Sequence, residues 1–192
     1  MAESLAVWHA EHVNFARLLD LLESQLSAFQ RGEQPTYDLM GNILYYLRGF
    51  ADRFHHPRED AAFARLVERE PDSQLIVNRI LQEHRVIAAA GDEFFNRLNE
   101  VTMDVMTPRA TLETAAATYL VYYRHHIATE ERDIMPRAAE LLTKEDWAAV
   151  TAAVPPDPLF GDIVEARFQE LRNQIASEAA VSRQKGVPSG KL

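Results

Sequence analysis

Residues 74–101 read QLIVNRILQEHRVIAAAGDEFFNRLNEV, in which Val77, Ile80, His84, Ile87, Gly91, Phe94, Leu98 and Val101 recur in steps of three and four. That period puts all eight on one face of an α-helix; a half-buried strand would alternate every second residue instead. In the middle of the apolar stripe stands a histidine.

The same rhythm extends in both directions. Upstream it runs through Trp8, His12, Phe15, Leu19, Leu22, Leu26 and Phe29, then through Met40, Leu44, Leu47, Ala51, His55, Glu59, Ala62 and Leu66. Downstream it runs through Leu112, Ala116, Tyr119, Tyr122, His126, Glu130 and Ile134. Gly32 with Pro35, Pro71, Pro108 and the PPDP of residues 155–158 punctuate the segments, Pro136 interrupts the last stripe, and Asp72-Ser73 and Thr107-Pro108 read as helix openings. No period-2 run of β-branched residues competes. The pattern predicts an all-α chain, an up-down-up-down four-helix bundle packed at shallow angles.

Composition sets the outer limits. The 192 residues are 47% hydrophobic and 26% charged, enough for one domain with a real core. A net charge of −9 argues against a nucleic-acid or anionic-membrane partner, which needs a basic face. The absence of cysteine excludes disulfides, thiolate metal sites and thiol catalysis. The opening MAESLAVWHAEH does not read as a signal peptide, and no run approaches the ~18 apolar residues of a membrane span, so the expected compartment is the cytoplasm.

The functional signal is polarity where a core is expected. Each of the four stripes carries a histidine, and two carry a glutamate one turn later. One buried histidine usually bonds a carbonyl, but a buried ionised carboxylate costs several kcal/mol without a partner. Six such groups converging on one core call for a cation. Their spacing repeats: Glu11-His12 recurs as Glu83-His84 after 72 residues, and His55 with Glu59 recurs as His126 with Glu130 after 71. The chain thus reads as two helical hairpins, each bringing one lone histidine and one i,i+4 His/Glu pair that grips from one side. Four imidazoles and two carboxylates suffice for two metal ions with bridging carboxylates. A sulfur-free N/O set suits iron, manganese or zinc, and a redox-active pair makes fuller use of positions left open for an oxo or hydroxo bridge and a small molecule.

In the order EHVNFARLLDLLE, FHHPREDAAF, EHRVI and RHHIATEERDIMP, over roughly residues 5–142, the chain resembles the hemerythrin-like HHE cation-binding domain family. The resemblance implies a non-heme di-iron centre in the bundle core, held by His12, His55, Glu59, His84, His126 and Glu130. Oxygen-carrying relatives have a further histidine four residues beyond the third-helix ligand, where this chain has Ala88, and their fourth helix uses a longer step that would pair His126 with Glu131 or His125 with Glu130. The set present is closer to iron-sensing and iron-centre-repair members, although the cysteine-bearing segment common in repair proteins is missing.

Other polar residues invite plainer readings. His56 and His125 lie about 100° round the helix from their neighbours and are expected to pack elsewhere or to hydrogen-bond a ligand. His9 is expected in solvent, Asp60, Glu131 and Asp133 on the helix surface or, as the alternative, hydrogen-bonded to a ligand, and Tyr119, Tyr122 and Tyr123 among core or rim aromatics. Thr143 with Asp146 reads as a helix cap opening TKEDWAAVTAAV, and residues 159–181 read as a further amphipathic helix. The expected organisation is the bundle over residues 1–142, a helical extension over 143–183 suited either to covering a flank or to homo-oligomer formation, and a mobile tail over 184–192. The leading functional expectation is a protein that binds O2 or NO at a carboxylate-bridged iron pair for sensing, buffering or iron handling. The alternatives are a di-iron enzyme of oxidative or nitrosative stress, reducing peroxide, O2 or NO or donating iron to damaged centres, and a structural bundle holding adventitious zinc.

Overall fold

The structure, a computed structural model, describes residues 2–153 together with Leu171 and Asn173. Among these residues there is no strand. The first rod is α1 (Ala2–Gln30). The second is a continuous helical run of α2 (Tyr37–Tyr46), a π-helical stretch (Leu47–His55) and α3 (His56–Arg69). After a 3-10 turn at Pro71–Ser73 come α4 (Gln74–Thr102) and α5 (Arg109–Thr129), the latter continuing through a second π-helical stretch (Glu130–Ile134) into α6 (Met135–Leu141). α1 packs on α2 and α5, and α4 packs on α2 and α5, which closes the four rods into a bundle.

The two hairpins match down to their helix ends. α1 stops in a Schellman motif, with Gly32 at φ +78° and the Glu33 and Gly32 amides donating to the Ala28 and Phe29 carbonyls. Seventy-two residues on, α4 stops the same way, with Asp104 at φ +55° and the Val105 and Asp104 amides donating to Glu100 and Val101. Both π-helical stretches lie just upstream of a proline, Pro57 or Pro136. Each proline lacks an amide donor and crowds the carbonyl four residues back, so the preceding turn widens to i→i+5 bonding.

All seven stripe residues of α4 from Val77 to Leu98 are buried, Gly91 included. A Cβ on Gly91 would lie 3.0 Å from the Tyr119 ring, so glycine there lets α4 and α5 close together. One position of the fourth stripe is corrected. Tyr123 (1% exposed) faces the core, while Tyr122 (44% exposed) faces out, because the stripe steps by four from Tyr119 and then by three to His126. Ser73 also departs from its expected capping role; its hydroxyl donates to Glu70 and makes no cap bond to α4.

Two apolar clusters fill the bundle. One is built around Phe15, Leu22, Leu44, Phe94 and Tyr119 and includes Leu171. The other is built around Trp8, Phe63, Leu66, Ile80, Ile134 and Trp147. Between them lies a buried polar layer containing every histidine and glutamate of the four stripes. α7 (Lys144–Ala153) opens at the expected Thr143–Asp146 capping box, with the Thr143 amide donating to Asp146 Oδ2 at 2.9 Å. It lays Trp147 and Val150 against α3, so this part of the extension covers a flank. The predicted helix at 159–181, but for Leu171 and Asn173, and the tail at 184–192 fall outside the described residues.

Candidate metal centre

Each rod gives the polar layer the histidine of its stripe. His12, His55, His84 and His126 are 1–7% exposed, and Glu59 and Glu130 are 2% and 0% exposed. On one side of the layer, His12 Nε2 and His55 Nε2 stand 3.1 Å apart, with Glu59 Oε1 at 3.2 Å and 2.7 Å from them. Two donors in neighbouring positions on one ion, with bonds of about 2.1 Å, sit about 3 Å apart. On the other side, Glu59 Oε2 lies 3.3 Å from His84 Nε2. Glu130 mirrors this arrangement, with Oε2 3.3 Å from His12 Nε2 and 3.4 Å from His126 Nε2, and Oε1 3.6 Å from His84 Nε2. Each carboxylate therefore reaches both histidine pairs, which is the placement a bridging ligand needs.

Three of the four outer nitrogens are hydrogen-bonded to a carboxylate, and the fourth, Nδ1 of His126, faces one at longer range. Nδ1 of His12 lies 2.8 Å from Glu131, that of His55 2.6 Å from Glu11, that of His84 2.8 Å from Asp60 and that of His126 3.4 Å from Glu83. A carboxylate behind an imidazole turns its Nε2 inward, the usual support for a metal-binding histidine. The arrangement has twofold character: Glu11 and Glu83 each serve the next rod of their own hairpin, while Asp60 and Glu131 each serve the lone histidine of the other hairpin. Arg58 donates to Glu11 at 2.8 Å and Arg79 to Glu83 at 3.0 Å, anchoring the two supports from outside.

Asp60 (47% exposed) and Glu131 (30% exposed) thus stay open to solvent on one side and also take the alternative, ligand-supporting role, because the residue after each core glutamate turns toward the neighbouring rod. His9, expected in solvent, is 60% exposed but places Nδ1 2.9 Å from Glu131. His125 is 56% exposed and 2.9 Å from Arg79, outside the layer. Glu11 and Glu83 went unremarked as supports, although their recurrence beside His12 and His84 was a usable signal.

Electrostatics show what the cluster does with its protons. Burial works to raise the Glu59 carboxyl, but the His55 charge and the contacts from His12, His55 and His84 hold it well below the usual carboxylate range. Glu130 is held down as well: burial and the Glu59 charge oppose this, and His126, His12 and His84 outweigh them. Burial works to lower His12 and His84, yet Glu130 and Glu59 lift His12 to about 10, while Asp60, Glu130 and Glu59 lift His84 to about 11. Burial pushes His56 down.

Hydrogen bonding is nonetheless incomplete. Glu59 Oε2, His84 Nε2, both ring nitrogens of His126 and both Glu130 oxygens are buried without a hydrogen-bond partner, whereas buried polar groups in folded proteins are as a rule satisfied. Two groups of donors each converge within 4.8 Å: His12, His55 and Glu59, and His56, Glu59, His84 and His126. The donor set and its orphaned atoms fit a cation.

The sequence model of the hemerythrin HHE cation-binding domain matches residues 3–138. The chain belongs to that family. No curated protein and no solved structure shows significant similarity to it. This hemerythrin-family member is a helical, cation-binding type of domain whose buried His/Glu cluster can hold metal, and among the described residues no helix is long and apolar enough to cross a membrane.

Proposed function

We propose that the chain holds two iron ions through His12, His55, Glu59, His84, His126 and Glu130, and binds a small diatomic ligand, O2 or NO, for sensing, buffering or iron handling. The observation that carries this reading is the placement of Glu59, whose two oxygens face different histidine pairs at 2.7 Å and 3.3 Å. Imidazole and carboxylate without sulfur favour iron over copper or calcium, with manganese and zinc as substitutes. Six protein donors shared by two ions leave coordination positions for a small molecule, and iron supplies the affinity for O2 or NO.

The chain's own residues define the approach. A cavity of about 260 Å³ is lined by Trp8, Glu11, His55, Arg58, Glu59 and Trp147 and reaches one side of the polar layer. Trp8 and Trp147 meet edge to face at 6.3 Å and give the cavity an apolar side opposite the charged Glu11 and Arg58. Outside the layer, Phe15 and Phe63 lie against His55 and His84 and exclude solvent from the imidazoles.

Anaerobic titration of the ferrous protein with NO, followed by optical spectroscopy, tests the reading. New charge-transfer bands are expected to saturate at a stoichiometric amount of NO and to remain without further consumption. Absence of any spectral change would overturn ligand binding. Continuous consumption of NO, or of peroxide, far beyond the protein concentration would instead identify an enzyme.

A further inference from the structure

His56 is the fifth buried histidine of the polar layer, 4% exposed, and it is not among the six residues assigned above. Its neighbour His55 points to one side of the layer, so ordinary helical geometry would turn His56 away. The π-helical stretch ending at His55 changes this. The apolar stripe enters that stretch through Leu47 and Ala51 and leaves it through both His55 and His56 before continuing to Glu59 and Phe63, all of them buried. Such widened turns recur where a function needs an extra inward residue.

On its outer side His56 resembles the other four histidines. Asp52 lies 3.2 Å from its Nδ1, as Glu131, Glu11, Asp60 and Glu83 lie behind theirs. Its Nε2 is buried and has no hydrogen-bond partner. Its ring stacks on that of His84 with centroids 4.2 Å apart and stands edge-on to His126 at 5.5 Å. A ring nitrogen of His56 falls within 4.8 Å of donor atoms of Glu59, His84 and His126, the second of the two convergent groups. Nδ1 thus has its carboxylate while Nε2 is bare in the core, the arrangement of an imidazole whose inner nitrogen is free to take a ligand.

We propose that His56 is a fifth imidazole ligand, given to the ion on the His84–His126 side, so that the two ions differ in coordination. The equivalent position of the second hairpin, 71 residues on, is Ile127, which has no donor, so the asymmetry is built into the sequence. The His84–His126 ion gains a third imidazole. The His12–His55 ion keeps two imidazoles, and it is on this side that the cavity lined by His55, Glu59 and Trp147 approaches. The exogenous ligand is thereby directed to one ion of the pair. This rests on the two-ion reading of the same site.

Anaerobic titration with Co(II), followed by its d–d absorption, reads the coordination of each ion directly. The wild type is expected to bind in two steps. His56→Ala and His56→Phe should both weaken one step by at least about tenfold, because losing even an outer partner of a metal ligand costs about 10–100-fold. The other step should hold, and added imidazole should restore the lost band in His56→Ala. His56→Phe keeps a ring against His84 without a donor nitrogen, so wild-type binding in that variant would reduce His56 to a packing role and overturn the proposal. Equal weakening of both steps would overturn it too. Failure of the wild type to bind two ions would instead overturn the two-ion reading.

Discussion

Replacing Glu59 and Glu130 together by glutamine is expected to abolish metal loading while leaving the helical circular-dichroism signal intact. Glutamine keeps the volume of each side chain, so the polar layer stays filled between its two apolar clusters. What it removes is the negative charge that balances the ions. Two divalent ions among neutral ligands leave most of their charge uncompensated in a site whose members are all 7% exposed or less. Burying an uncompensated charge costs several kcal/mol even after relaxation, and about 4 kcal/mol already corresponds to roughly a thousandfold in affinity. The folded chain survives because the raised value of His12 comes from these carboxylates, and that of His84 from Asp60 first and then from them. Without them His12 loses the charges that hold its proton, while His84 keeps Asp60 as its partner, so no isolated charge is left buried. Metal analysis at a concentration that saturates the wild type checks this; full loading of the double variant would contradict it.

The second large effect is an opposite response to acid with and without metal. In the metal-free chain His12 and His84 titrate near 10 and near 11, against about 6.5 when unfolded. The stability they contribute is complete below about pH 6.5 and is lost as the pH rises through 10 to 11. Glu59 and Glu130 are lowered, so their contribution is present above the ordinary carboxylate range and is lost as the pH falls through their depressed values. Between pH 7 and 5 the metal-free melting temperature should therefore hold level or rise slightly. Metal binding must displace the imidazole protons, which costs about tenfold in affinity per pH unit for each proton displaced. The melting temperature of the loaded protein should consequently fall toward the metal-free value over the same interval. Calorimetry with and without chelator at pH 7, 6 and 5 measures the gap. A gap that widens on acidification, or a chelator-insensitive transition at pH 7, would show that protons and metal do not compete for these side chains.

Much of this arrangement is legible in the sequence because helical periodicity is a strong signal over long segments. The stripes of α1 and α4 place His12 and His84 in the core by simple counting, and the repeat at 71–72 residues extends to the matching helix ends at Gly32 and Asp104. Counting at 3.6 residues per turn fails where the backbone departs from an α-helix. The turn ahead of Pro57 widens, and His56, assigned by arithmetic to another face, enters the polar layer. A different limit hides the carboxylates behind the imidazoles. Glu11 stands next to His12 in the chain but supports His55 on the neighbouring rod, and Glu131 supports His12 across the bundle. Such contacts depend on how the rods are rotated against one another, which no single stripe encodes. The Tyr122–Tyr123 exchange has a simpler origin, since steps of three and four both satisfy the period and only packing against Phe15 and His56 selects Tyr123.

The count of metal ions per chain bears most directly on the central claim. Protein reconstituted anaerobically with Fe(II), freed of excess metal and analysed by inductively coupled plasma mass spectrometry against quantitative amino-acid analysis is expected to carry two iron ions per chain. A value of one, or iron lost entirely on gel filtration, would contradict a centre in which Glu59 and Glu130 each join both histidine pairs.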